Sequence, residues 1–388
     1  MFLRRPALAF ISTAFIILSA APLRAQSGIH PKPTPTPEEA ESIYTEEVRI
    51  PVFAFDEQGH FDPRLEVDDV LVVEDGVPQQ VKSVRRTPAS VLLVLGTGWD
   101  LDPALRANTT RDIALGVLKD LREGDRVAAL QFNDRTTLLQ DWTGDRVQAA
   151  RALKSKLASG QGSNLSRAVK RAVELLQTQP VGNRHLVLIA DGIDTASSSE
   201  YQDAVKKLIA AQATLHVLSY AAVTRAQVKQ PWWKTPPEKP GMTQSTADQA
   251  TVGIDPTRPP GMRGPGVNPH DVNSGITFDP ALSRRRKEAE REMKRGETRL
   301  KSLTDETGGR ILTPDTTDEM IAEGAGVARE IDSQYVVTYR PKRPLRKAPA
   351  SEYRKIYVGA RRVGLNLRAR RGYVVGSMRQ PEPTPQGQ

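Results

Sequence analysis

Three short loops hold the side chains best placed for ligand chemistry. The first is Gly96-Thr97-Gly98-Trp99-Asp100, the second Gly160-Gln161-Gly162-Ser163-Asn164, and the third Asp191-Gly192-Ile193-Asp194. Carboxylates, hydroxyls, an amide and glycine-rich main chain suit recognition by hydrogen bonds better than bond-breaking. The five histidines, His30, His60, His185, His216 and His270, are scattered, and no H-E-x-x-H, G-x-S-x-G or S-x-x-K grouping has a supporting context. Gly160–Ser163 lacks the G-x-x-x-x-G-K-[ST] spacing that wraps phosphates. The chain has no cysteine, so thiol nucleophiles, disulfides, Cys-ligated zinc and iron–sulfur clusters are excluded. The chain reads as a non-enzyme.

Each loop follows or precedes a strongly patterned segment. Val91–Leu95 and His185–Ala190 are apolar runs of strand length without alternation, as in strands covered on both faces. Arg126–Phe132 and Thr214–Tyr220 read as further strands. Asn108–Leu121, Arg146–Leu157, Asn164–Leu176, Tyr201–Ala211 and Met320–Ile331 have helical spacing. This alternation predicts an α/β fold: a doubly wound, mostly parallel sheet with helices on both faces. Such sheets bind ligands at the C-terminal ends of their strands. Gly96, Thr97, Gly98, Trp99, Asp100, Ser163, Asn164, Asp191, Gly192 and Asp194 are therefore the candidate ligand-binding rim. For Asp194, capping of a following turn is the competing role.

The flanks read differently. Val48, Ile50, Val52 and Ala54 recur at period two, and Phe53 and Phe55 on the opposite face predict cover on both sides at the strand's end. Leu71–Val73 and Val81–Val84 are short strands, too few for an independent sandwich. Tyr335–Tyr339, Tyr353–Val358, Val363–Arg368 and Tyr373–Val375 supply strand candidates to complete it. The expected organisation is a signal peptide at 1–25, a Pro-rich spacer at 26–44, β segments at 45–88 and 335–376 forming a small β domain together, an α/β domain at 89–225 and 281–334, a Pro/Gly-rich flexible insertion at 226–280, and a polar tail at 377–388.

The 388 residues carry a net charge of +9. Arg4 and Arg5, the apolar stretch Ala7–Ala21 and the small Ala25 have the layout of a secretory signal, too short for a comfortable span, with an uncleaved anchor as the alternative. This predicts export to the periplasm or beyond, with no membrane-spanning segment after cleavage. Arg4, Arg5 and Arg24 leave with the signal and no acid does, which takes the charge to +6. Residues 335–388 alone hold +11, so residues 26–334 are mildly acidic. The basic end is either an anionic-surface binder or a solvated sheet face; without interleaved aromatics no nucleic-acid partner is expected. Trp232-Trp233 is either a partner anchor or self-packed. Residues 284–292 carry opposite charges at i,i+4 and predict an exposed helix.

The succession LLVL-loop, GDRVAALQF, GSNLSRAV and LVLIADGIDT resembles the von Willebrand factor type A (VWA) domain. With VVEDG before it and LTDETGGRI, QYVVTYRP and LRARRGY after it, the layout over about 45–376 resembles the secreted bacterial VWFA-related (acidobacterial-type) family. The resemblance implies a Rossmann-like fold and a protein-binding role. It also implies a metal-ion-dependent adhesion site: Asp-x-Ser-x-Ser on loop one, Thr on loop two, Asp on loop three, around Mg²⁺. Asp191 matches the loop-three acid and Ser163 the loop-two hydroxyl. Gly96 stands at the loop-one Asp, Gly98 at the first Ser and Asp100 at the second. Two outcomes are open: a decayed site without cofactor, or a rearranged Mg²⁺ or Mn²⁺ site on Asp100, Ser163 and Asp191. The expected function is an exported binding module for a protein or cell-envelope ligand with a degenerate adhesion site. The alternatives are a structural or assembly scaffold without metal, and an anionic-surface or nucleic-acid binder through the basic C-terminal segment.

Overall fold

Seven residues with no side-chain charge, Ser90–Gly96, are completely buried, and they form the middle of the molecule. The computed structural model describes residues 46–98, 103–229 and 280–378. Expectations for 1–45, Trp99-Asp100, 230–279 with Trp232-Trp233, and 379–388 lie outside the described residues.

The central sheet has six strands: β5 (Ser90–Gly96), β6 (Arg126–Phe132), β7 (Thr136–Thr143), β8 (Arg184–Ala190), β9 (Ala213–Ser219) and β10 (Arg310–Leu312). Their order is β10-β9-β8-β5-β6-β7. All pairs are parallel except β6 with β7. Helices α1 (Pro103–Asp120), α2 (Arg146–Lys156) and α7 (Thr317–Asp332) cover one face. Helices α3 (Leu165–Gln177), α4 (Ser198–Ala210) and α6 (Pro280–Thr307) cover the other. Between β9 and α6 lies α5 (Ala221–Lys229). The alternation of faces is visible along β5: Val91, Leu93 and Leu95 enter one core, Leu92 and Val94 the other. Caps set the helix starts. Asn164 accepts from Arg167 N–H, Ser197 and Glu200 form a capping box on α4, and Thr316 accepts from Glu319 N–H.

The termini build two further antiparallel sheets around a third core. One runs β13-β1-β11-β4 and the other β14-β12-β2-β3. The strands are β1 (Val48–Phe55), β2 (Val70–Glu74), β3 (Val77–Gln79), β4 (Val81–Arg85), β11 (Gln334–Tyr339), β12 (Tyr353–Ala360), β13 (Asn366–Ala369) and β14 (Gly372–Val374). N- and C-terminal segments thus share sheets, β1 with β11 and β13, and β2 with β12. Val48, Ile50, Val52 and Ala54 are fully buried on the inner face. On the outer face Phe53 is equally buried, stacked on Phe55 and set edge-on to His216 of β9. Both parts belong to one compact unit, Thr45–Gln388.

Much of the positive charge of the C-terminal segment is consumed inside this architecture. Arg346 pairs with Glu46, Arg362 with Asp62 and Asp69, Arg343 with Asp75, Arg368 with Glu330 and Arg371 with Asp305. Arg354 is buried and donates to Glu74, whose other oxygen accepts from Tyr339 and Tyr373. Sequence-distant charges of opposite sign face each other across the paired strands.

The seam between β1 and the central sheet holds a buried histidine pair. His185 Nε2 lies 2.7 Å from Asn183 Oδ1, an acceptor, so Nε2 carries the proton and donates. Asn183 Oδ1 also accepts from Gln334, and Asn183 Nδ2 donates to Thr87 O. His185 Nδ1 must then accept from His216 Nε2, 3.0 Å away. Burial, followed by the neighbouring His216, holds His185 well below the usual histidine range. Burial, then Arg368 and Arg310, pushes His216 down to about 3. Both rings are neutral at pH 7.

Some elements differ from expectation. β7 is an edge strand the pattern does not predict: of TTLLQDWT only Leu139 is buried, so no apolar/polar alternation is needed. The final strand ends at Val374, and Val375–Met378 turns into the short helix α8. Helix α5 continues to Lys229, past the expected start of the insertion at 226.

Candidate functional site

The rim begins where β5 ends. A Cβ on Gly96 would meet Ile189 O at 3.0 Å and the Phe132 ring at 3.1 Å, so the strand leaves the sheet through a tight gap. Thr97 is buried; its N–H donates to Phe132 O, its hydroxyl accepts from Gln131, and its carbonyl accepts from Gly160 N–H. At Gly98 there is no room for any side chain: a Cβ would lie 1.7 Å from Gly162 O. Loop two reaches that position through Gly162, whose φ of +70° favours glycine. Gly160 is also confined: a Cβ there would lie 2.0 Å from Asn133 Nδ2. Loops one and two therefore touch main chain to main chain.

Loop two hands its functional groups to the fold. Ser163 is buried, its hydroxyl donates to Ile193 O at 2.7 Å, and its carbonyl accepts from both the N–H and hydroxyl of Thr195. Asn164 caps α3. Asp194 accepts from the Ser166 N–H and hydroxyl and from Ala196 N–H, the capping role weighed for it above.

Asp191, at the end of β8, is the charged residue at the centre. Its Oδ1 accepts from Ile193 N–H at 3.0 Å. Its Oδ2 accepts from Arg106 Nη2 at 2.5 Å. Both side chains are almost fully buried, at 3% and 2% exposure. The Arg106 guanidinium also stacks over the Tyr220 ring, 4.0 Å from its centre. Tyr220 hydroxyl contacts Thr110, which donates to Gly96 O. A single network thus joins α1, loop one, β8 and the end of β9 through the arginine.

Loop three is covered from outside by α6. A Cβ on Gly296 would meet Gly192 O at 2.3 Å, and one on Gly192 would meet Gly296 C at 2.8 Å. Two glycines let the helix and the loop touch along their backbones, and Gly192 needs its φ of +79° besides. Met293 packs with Ile193 and Ala221, and Glu297 pairs with Arg225. Gly96, Thr97, Gly98, Ser163, Asp191 and Gly192 are consequently buried, and Asn164 and Asp194 partly so.

Residues 103–235 match the model of the von Willebrand factor type A domain. The chain carries a VWA domain. Strand β5 and loop one precede the matched span and complete its sheet. No curated protein matches the chain. It is similar to a von Willebrand factor type A protein from Catenulispora acidiphila, with 10% identity over 85% of this chain and 74% of that one, TM-score 0.39. It is also similar to the PilB minor pilin from Streptococcus sanguinis, with 11% identity over 64% and 62%, TM-score 0.40. A third is an aerotolerance-related membrane protein from Bacteroides fragilis, with 14% identity over 63% and 98%, TM-score 0.36.

A VWA fold implies an adhesion-site metal, and the described residues do not fit one. Both Asp191 oxygens are committed, one of them to a guanidinium, and a second cation beside that charge is repelled. Ser163 donates its proton to a carbonyl in the opposite loop. The space for a loop-one serine at Gly98 is filled by Gly162 O. Among the described residues no group of three or more His, Asp or Glu side chains is arranged to hold a metal.

Arg106 was not among the candidate residues. Its signal is in the spacing: Arg106, Thr110, Ile113 and Val117 follow each other at three or four residues on one helix face, and all are buried. A helix begun at Asn108 leaves it out.

Proposed function

We propose that this protein is an exported binding module for a protein or cell-envelope ligand, and that its VWA site works without metal. VWA domains are in general non-catalytic modules that mediate protein interactions, and no described helix is long and apolar enough to cross a membrane. One observation carries the metal-free reading: Arg106 supplies, from within the chain, the positive charge that Asp191 requires. The ligand then meets the rim by shape and hydrogen bonds rather than by giving a carboxylate to a cation. Among the described residues, Asp134, Arg135 and Gln161 on the outer side of loop two and its neighbours are accessible, as is Thr195 beside loop three. Export rests on the charged, apolar and small-residue layout of residues 1–25.

Retention of ligand from an envelope extract, with and without chelator, tests this reading. Retention unaffected by chelator and lost in Gln161→Arg/Asp134→Arg supports it. Retention abolished by chelator overturns it. N-terminal sequencing of the exported protein should begin near Gln26; a protein retained in the cytoplasm with residues 1–25 intact contradicts export.

A further inference from the structure

The groove at the opposite end of the parallel sheet from the VWA rim has its own chemistry. It lies between the outer face of the sheet β13-β1-β11-β4 and residues 181–182, which precede β8. Strand register lines up Arg49, Thr338 and Ser83 across β1, β11 and β4, with Val336 and Arg85 in the next row. Val336 and Thr338 are buried and form the floor. A Cβ on Gly182 would lie 3.4 Å from Val336 and 3.7 Å from the stem of Arg49, so this turn stands directly against the floor. The volume of the groove is about 500 Å³.

Three cations, Arg49, Lys82 and Arg85, line this space against one acid, Glu47. Glu47 meets Arg49 only at 3.6 Å. Among the described residues Lys82 and Arg85 make no ion pair, whereas Arg86 beside them is held by Asp332. Ser83, Thr87 and Thr338 add three hydroxyls. Like charges are gathered around a concave, hydroxyl-bearing space, which costs repulsion unless an anion enters it.

We propose that this groove is a second binding site, for a soluble phosphorylated saccharide. The cations match phosphate oxygens. The hydroxyls match sugar hydroxyls, and the volume falls in the range of small-ligand sites. The wall at 181–182 makes the site recessed, which suits a soluble ligand better than a flat membrane surface. The cationic side chains lie on one short sheet face, which suits a compact ligand better than an extended acidic peptide.

The test is calorimetric titration of the full chain with glucose 1,6-bisphosphate, alongside trehalose, an octa-glutamate peptide and phosphatidylglycerol vesicles. One-to-one binding of the bisphosphate, no binding of trehalose, and at least tenfold weakening in Lys82→Glu/Arg85→Glu is the expected result. Arg361→Glu changes the charge of an exposed site elsewhere and should leave the affinity unchanged. Absence of bisphosphate binding at millimolar concentration overturns the proposal. So does equal weakening by Arg361→Glu, which marks a general charge effect, or preference for the vesicles or the peptide over the bisphosphate. Circular dichroism of each variant establishes that it is folded, and the retention assay on the VWA rim is unaffected by either outcome.

Discussion

Arg106 Nη2 donates to Asp191 Oδ2 at 2.5 Å, and neither side chain reaches solvent to any useful extent. A buried ion pair is sensitive to loss of one partner, because the other charge is then left in a poorly polarisable interior. Asp191→Ala and Arg106→Ala should each destabilise the protein by about 3–5 kcal/mol, while Arg106→Met/Asp191→Leu, which removes both charges and keeps volume, should recover most of the loss. Chemical denaturation of the three variants checks this. Equal losses in the single and double variants would contradict the pairing.

The glycines of loop one follow from the closeness of loop two. Restoring a serine by Gly98→Ser places a Cβ where Gly162 O now lies. Overpacking of this kind costs about 1–3 kcal/mol or more, and the rim should distort rather than acquire a ligand. Thermal unfolding of Gly98→Ser beside Gly76→Ser, a turn glycine with nothing near its Cβ position but a φ of +83°, separates crowding from backbone strain.

The unalternating run Val91–Leu95 predicts a strand covered on both faces, and the period-two pattern Val48–Ala54, with Phe53 and Phe55 opposite, predicts a strand with one core face and cover on both sides at its end. Both signals are local, since burial is written into side-chain type. Arg106 was half legible, from its face of the helix. The contact of Gly192 with Gly296 was not, because it joins residues separated by the whole 226–280 segment, and two glycines carry no pattern of their own. The neutralised C-terminal charge was also hidden: composition gives +11 for 335–388 but not that Glu46, Asp62, Asp69, Glu74 and Asp75 lie opposite.

The Gly192–Gly296 contact makes α6 part of the rim. Gly296→Leu should lift the helix from loop three, since even a Cβ meets Gly192 O at 2.3 Å. Faster proteolysis within 280–307 and a lower melting temperature are the expected readouts. A variant with wild-type proteolysis and melting would show that the helix does not bear on the loop.

The histidine pair sets a pH dependence. Both His185 and His216 titrate below the unfolded value of 6.5, His216 at about 3. A histidine depressed in the fold is neutral in both states at high pH, and its contribution is full above pH 6.5. As pH falls through 6.5 the unfolded chain takes up the proton first, so stability declines down to the folded value. Protonated His185 would turn its Nδ1 from acceptor to donor toward His216 Nε2–H. Arg368 and Arg310 oppose a charge on His216, whose Nδ1 lies 3.6 Å from Glu330. His216 should remove about 1.4 kcal/mol per pH unit between roughly pH 6 and pH 4, and His185, also depressed, adds to the loss in the same direction. Denaturation against pH for wild type and His216→Gln measures it, with a shallower slope expected in the variant.

The most direct test of a metal-free VWA site is calorimetric titration of the wild-type protein with Mg²⁺ and with Mn²⁺. With Asp191 committed to Arg106, no saturable binding should be seen up to millimolar metal. Stoichiometric binding at micromolar concentration, abolished by Asp191→Ala in a still-folded variant, would contradict it.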